Sequence, residues 1–165
     1  MSTTEQGQAR TMELMAAATR RDLDQAELDE FNTWAAGDVA ASGLDAVLGL
    51  EYTAVGPRGC ATRLIVDRRH LQPWGVTNGG VYASIGESAG SVSAFLAAGG
   101  LTQVVGMNNS TDFYRPSRAG EVIVSTAEPV HLGRTTQAWE IRHRRESDGK
   151  LLARTGLRMA VLGAG

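Results

Sequence analysis

Residues 72–91 read QPWGVTNGGVYASIGESAGS. Pro73-Trp74-Gly75 has turn chemistry, and Gly79-Gly80 opens a run of Ala, Ser, Gly, Val and Ile. The run reads as a helix over about Gly80–Ala98, stopped by Gly99-Gly100. Its one charged residue is Glu87. With no strongly polar face, such a helix is buried on most sides. A lone carboxylate there is either on an exposed face, as most Glu are, or held for chemistry. The glycine pair is most often only a turn. Followed by a helix and an acid about two turns later, it gains weight, because glycines let a ligand carbonyl approach the helix's unsatisfied N–H groups.

Upstream, LGLEYTAVG and GCATRLIVD have strand patterns, with Gly56-Pro57 and Arg58-Gly59 as the turn between them. Downstream come four strand-like segments, QVVGMNNSTDFYR, EVIVSTAEPVHL, TTQAWEIRHRR and LLARTGLRMAVL. Their breaks fall at Pro116–Gly120, Gly133-Arg134 and Ser147-Asp148-Gly149. Short connections predict an antiparallel meander. One apolar helix before a long antiparallel sheet predicts an α+β domain, the sheet wrapped around a single central helix.

The region from about Thr3 to Ala36 reads as two helices with a break near Asp22. Asp24 and Glu27 have capping-box spacing, and Leu23 and Leu28 that of a hydrophobic staple, so the second helix is predicted from Asp24. Leu28, Phe31, Trp34 and Ala35 form an apolar stripe, and Gly37 and Gly43 punctuate the exit. Residues 1–43 are therefore an N-terminal helical extension and 44–165 the main domain.

The 165 residues suit a real core, with 42% hydrophobic and 21% charged residues. A net charge of −2 gives no basic field for nucleic acid. The basic residues are Arg except for Lys150; Arg suits phosphate, although Ala- and Gly-rich composition accounts for the bias more simply. Cys60 is the one cysteine and sits in an alternating apolar stretch, as a core residue does. A reducing, cytoplasmic setting is expected. The polar first 25 residues lack a signal peptide's apolar run, and no segment approaches the length of a membrane span. His70, His131 and His143 fall in no zinc-ligand spacing, so no metal is expected.

Taken together, Q-P-W-G, the Gly-Gly pair and an acid nine residues after position 78 resemble the hotdog-fold acyl-CoA thioesterases, in the branch of phenylacetate-pathway and aryl-CoA enzymes. VVGMNNSTDFYRP (104–116) and HLGRTTQAWEI (131–141) resemble later segments of the bacterial 4-hydroxybenzoyl-CoA and 1,4-dihydroxy-2-naphthoyl-CoA thioesterases. The resemblance runs in order from Leu44 to Leu162. It implies a hotdog fold and hydrolysis of an aryl- or short acyl-CoA. Glu87 stands at the place of the nucleophile or general base, and the Gly79 N–H at that of the oxyanion donor. Gln72 would place the thioester, with its position relative to Glu87 set across a dimer interface, and Ser91 would hold water or the carboxylate. A homodimer or dimer of dimers (a homotetramer) is expected, with no cofactor beyond the CoA of the substrate.

Asn78 stands where this family usually has His, and an amide does not titrate near neutral pH. That substitution favours a second reading, an acyl-CoA-binding protein or sensor with little turnover. A hotdog hydratase or dehydratase is a third, but those resemble one another in an Asp/His pair and this helix has no His. Candidate substrate contacts are Trp74 and Tyr82 at the acyl pocket, Gly80 at the helix entry, and Arg115, Arg134, Thr135 and Thr136 at the CoA rim, with Arg118 and Arg158 as further cations. The plain alternatives stand beside these: core aromatics, solvated surface Arg, and a Ser91 bonded to its own helix.

Overall fold

The structure, a computed structural model, describes residues 3–35 and 39–163. At its centre α4 (Gly79–Ala97) lies across one face of a six-stranded sheet. The strands are β1 (Glu51–Gly56), β2 (Gly59–Ile65), β3 (Val104–Phe113), β4 (Val122–Leu132), β5 (Thr136–Arg145) and β6 (Leu151–Val161). Their order is β1-β2-β4-β5-β6-β3, with every pairing antiparallel. This is the helix-in-sheet architecture expected from the sequence.

The helix sits close to the sheet because of where its glycines fall. Gly79, Gly86 and Gly90 are spaced by seven and four residues, hence on one helical face. A Cβ at Gly79 would lie 2.8 Å from Cζ of Phe113, and one at Gly86 would lie 2.6 Å from Oγ1 of Thr155; at Gly90 it would run into Leu157. Interior helix glycine costs up to about 1 kcal/mol against alanine. The cost is offset by close contact with Ile123, Ile141, Leu152 and Leu157, all fully buried.

The N-terminal helices share this core. α1 (Thr3–Ala18) buries Leu14 and Ala18, and α2 (Gln25–Ala35) buries Leu28 and Phe31. The capping box forms as expected: Glu27 N–H donates to Asp24 Oδ1 (3.0 Å), and Asp24 N–H to Glu27 Oε2 (3.0 Å). Of the apolar stripe, the side chains of Trp34 and Ala35, like Gly37, lie outside the described residues.

Two expectations are corrected. Val39–Leu48 is a further helix, α3, kinked at Gly43 (φ 61°), so Leu48 ends a helix and the strand expected from Leu48 begins at Glu51. A short apolar run carries no periodicity that separates helix from strand. Asp45 of α3 accepts from Ser88 of α4 (2.6 Å) and from the Tyr52 hydroxyl (3.0 Å), which fixes the segment in place. The meander is also only partial. β4, β5 and β6 follow one another, but β3 crosses to the far edge beside β6, and β2 takes the place next to β4.

The two sheet edges differ. Asn32 covers β1, donating to the Tyr52 carbonyl and accepting from its N–H, each at 2.7 Å. Among the described residues nothing pairs with the outer edge of β3, which carries exposed Val105, Met107 and Phe113. It also contains a bulge between Gly106 and Asn108.

Gly86→Ala is expected to destabilise the fold by about 1–3 kcal/mol despite its gain in helix propensity. The fixed β-branched Thr155 cannot yield as the end of a flexible chain could. Urea unfolding measures this, and a variant as stable as the parent would contradict the packing described.

Candidate active site

The segment before α4 is held from below. His70 is buried; its Nδ1 accepts from the Asp67 N–H (2.9 Å), which leaves Nε2–H to donate to the Leu48 carbonyl (2.9 Å). The His70 carbonyl in turn accepts from the Asn78 N–H (2.8 Å). Asn78 is the N-cap of α4, its Oδ1 accepting from the Gly80 N–H (2.8 Å). The Val81 N–H is taken by the Asn78 carbonyl (3.0 Å). Among the described residues the Gly79 N–H has no acceptor. One helix-terminal donor is thus left open while its neighbours are satisfied.

That donor lies in the wall of a cleft of about 450 Å³ lined by Gln72, Val76, Gly79, Tyr82, Phe113 and Arg115, among others. The cleft brings together four of the residues selected from the sequence: Gln72, Gly79, Tyr82 and Arg115. Beneath it, the Tyr82 hydroxyl meets Ser117 Oγ (2.7 Å), which also meets Thr77 Oγ1 (2.6 Å), so the ring is fixed. Burial raises the Tyr82 hydroxyl's pKa above the ordinary tyrosine value.

Glu87 is not in this cleft. It is half-buried two turns further along α4, with Oε2 accepting from Asn109 Nδ2 (2.9 Å) and Oε1 facing Gly106 of β3, where a Cβ would approach to 2.5 Å. Gly79 and Glu87 are eight residues apart, about 12 Å along the axis. Asn109 escaped the sequence reading, and the bulge is the reason. Before it Gly106 faces the helix; after it Asn109, Thr111 and Phe113 do, a phase that simple alternation does not give. The spacing of His70 likewise gives no sign of its place beneath the helix start.

Ser91 makes no hydrogen bond to Glu87 among the described residues. Trp74 is 83% exposed and is not a wall of the cleft. Arg134, Thr135 and Thr136 lie at the β4–β5 turn, where the Thr135 carbonyl accepts from the Val161 N–H (2.9 Å). The cleft contains none of the three. Arg118 lies in the β3–β4 connection, where its backbone N–H donates to Glu121 Oε2 (2.8 Å), and Arg158 is exposed on β6. Cys60 is buried, and burial pushes its thiol up to about 12, which leaves it inert as a nucleophile. Among the described residues there is no group of three His, Cys, Asp or Glu placed to hold a metal, and no helix is long and apolar enough to cross a membrane.

Asn78→Ala is expected to cost about 1 kcal/mol of stability through loss of the cap, with Asn78→Asp close to the parent; denaturant midpoints test both. A second expectation concerns His143, whose pKa burial pushes down to about 3. The unfolded chain binds this proton from about pH 6.5 downward and the folded chain does not. Stability is therefore full above about pH 6.5 and falls by about 1.4 kcal/mol per pH unit below it. Urea unfolding at pH 7 and pH 5 should differ by about 2 kcal/mol from this group, and His143→Gln should remove that part of the difference.

A family model described as the thioesterase superfamily matches residues 75–152. A Mycobacterium tuberculosis protein named as an esterase is 40% identical over 123 residues, which is 73% of this chain and 86% of that protein. A proofreading thioesterase of Cronobacter turicensis is 37% identical over 57% of this chain and 68% of its own. The crystal structure of a Haemophilus influenzae thioesterase superposes with a TM-score of 0.72 at 31% identity, covering 82% of this chain and 90% of that one. With a long helix across an antiparallel sheet, an open N–H at the helix start and sequence identity of this extent, the chain belongs to the thioesterase superfamily.

Proposed function

We propose that the protein hydrolyses an aryl- or short acyl-CoA thioester to the free acid and CoA. Thioester hydrolysis as the reaction class follows from the family. The observation that carries the site is the open Gly79 N–H in a cleft wall that also contains Gln72. Asn78 in place of the usual His is compatible with this site, because its amide oxygen occupies the Gly80 N–H and leaves the Gly79 N–H for a substrate oxygen. A developing oxyanion there gains roughly 2–4 kcal/mol from one such donor.

In this reading the thioester carbonyl oxygen accepts from Gly79 N–H, Gln72 places the thioester, and Glu87 attacks the carbonyl carbon or removes a proton from the attacking water. Tyr82 and Phe113 flank the acyl group, which favours an aryl or short chain. Because Glu87 lies about 12 Å along the helix from Gly79, the two act on one carbonyl when they come from different chains. The bare β3 edge supplies the means. A two-fold pairing of β3 strands would run the two sheets together and set the α4 helices antiparallel, each Glu87 toward the other chain's cleft. It would also bring the β4–β5 turn with Arg134, Thr135 and Thr136 near the partner's Arg115, at the mouth where CoA phosphates bind. Dimers of this kind would pair again into a tetramer.

Free-thiol release from benzoyl-, hydroxybenzoyl-, phenylacetyl-, dihydroxynaphthoyl-, short-chain and long-chain acyl-CoA tests the proposal. Glu87→Ala is expected to lower kcat by at least about 10³-fold while binding of the thioester stays within a few-fold. Turnover retained in that variant would remove Glu87 from the mechanism. Thioester binding without turnover by the parent chain would make it the binding protein.

A further inference from the structure

A continuous run of hydrogen bonds leads away from Glu87 into the core. Asn109 Nδ2 donates to Glu87 Oε2 (2.9 Å) and to the Ala83 carbonyl (3.0 Å), and Asn109 Oδ1 accepts from Thr111 Oγ1 (3.1 Å). Thr111 Oγ1 meets Thr155 Oγ1 at 2.8 Å, Thr155 Oγ1 meets His143 Nε2 at 3.0 Å, and His143 Nδ1 meets Ser125 Oγ at 2.8 Å. The path crosses β3, β6, β5 and β4. Thr111 stands opposite Thr155, and His143 opposite Ser125, in the sheet register. Ser125, His143 and Thr155 are each fully buried.

The direction of every bond can be derived. Asn109 must point its NH₂ at Glu87 and Ala83, because the flipped amide would set an oxygen against two acceptors. Its Oδ1 therefore accepts, and the single proton of Thr111 is spent there. Thr111 must then accept from Thr155, whose own proton is spent in turn, so Thr155 accepts from His143 Nε2–H. The imidazole, kept neutral by burial, is left with an accepting Nδ1 for the Ser125 hydroxyl. All donors point the same way, from Ser125 to the carboxylate, and aligned bonds of this kind polarise one another. Because an amide in the path blocks proton transfer, the run can orient but cannot shuttle protons.

Resting on the hydrolase reading of Glu87, we propose that Asn109 is the positioning residue of the catalytic carboxylate, its own orientation set by the Ser125–His143–Thr155–Thr111 hydrogen-bond chain. Gly86, the residue before Glu87, belongs to the same arrangement. It has no Cβ where Thr155 crosses beneath the helix, so the chain and the carboxylate's backbone are seated against each other. With Oε2 anchored by Asn109, Oε1 lies over Gly106, where the missing Cβ leaves room for the thioester carbon or the attacking water to approach.

The test combines kinetics with a readout that needs no turnover. Asn109→Ala is expected to lower kcat by about 10²-fold with KM changed less than about threefold. Thr111→Val, which keeps shape but not the hydroxyl, should lower kcat by about tenfold, and Thr111→Ser should restore it. By ¹⁵N NMR at neutral pH, His143 should be the Nε2–H tautomer, and the Asn109 side-chain amide resonance should move in Glu87→Gln. Parental kcat in both Asn109→Ala and Thr111→Val, or an Nδ1–H tautomer of His143, would overturn the proposal. An Asn109 amide unmoved by Glu87→Gln would overturn it as well. Should Asn109→Ala fail to fold, the Thr111 variants and the NMR decide. If the parent chain releases no thiol, the hydrolase reading fails, while the tautomer and amide measurements still decide whether the chain anchors Glu87.

Discussion

The fold and the site both depend on how closely α4 lies on the sheet. Three glycines on one helical face, at 79, 86 and 90, remove the side chains that would hold the helix off. The core gains contact with the aliphatic residues of β4, β5 and β6 as a result. The same closeness places Gly79 against Phe113 and so shapes the cleft wall, and it sets Gly86 over Thr155. Helix propensity is given up at two interior positions, Gly86 and Gly90, to obtain one tight interface on the helix that carries Gly79 and Glu87.

The proposed site is divided. The donor and the amide of Gln72 stand at the start of α4, whereas the carboxylate stands two turns on, beside the β3 edge. A helix of fixed rise cannot bring them to one carbonyl within a chain. Among the described residues Asn32 holds the backbone of Tyr52 on the β1 edge while the β3 edge has no such cover, and the proposed pairing of chains uses that asymmetry.

Much of this was legible in the sequence. The strand boundaries downstream of α4 follow from Gly, Pro and Asp-containing turns, and Glu87 stands out as the one charge in an apolar helix. The capping box at Asp24 and Glu27 was readable for the same reason, as a short-range pattern with a local mechanism. What escaped was long-range or phase-dependent. The position of β3 beside β6 is a matter of topology, not of turn chemistry. Asn109 faces the helix only because a bulge at Met107 shifts the alternation, and α3 carries too few residues to show a helical period around Gly43. Trp74, an aromatic beside a glycine turn, looked like a pocket residue and instead stands in the open on the single chain.

The central claim is that the Gly79 N–H and Glu87, from two chains, act on one thioester carbonyl. A crystal structure with a non-hydrolysable aryl-CoA analogue tests it most directly. The expected result is the analogue's carbonyl oxygen within hydrogen-bond distance of Gly79 N–H, with Glu87 of the partner subunit facing the carbonyl carbon. An analogue bound away from Gly79, or one whose carbonyl neither chain's Glu87 approaches, would contradict the account.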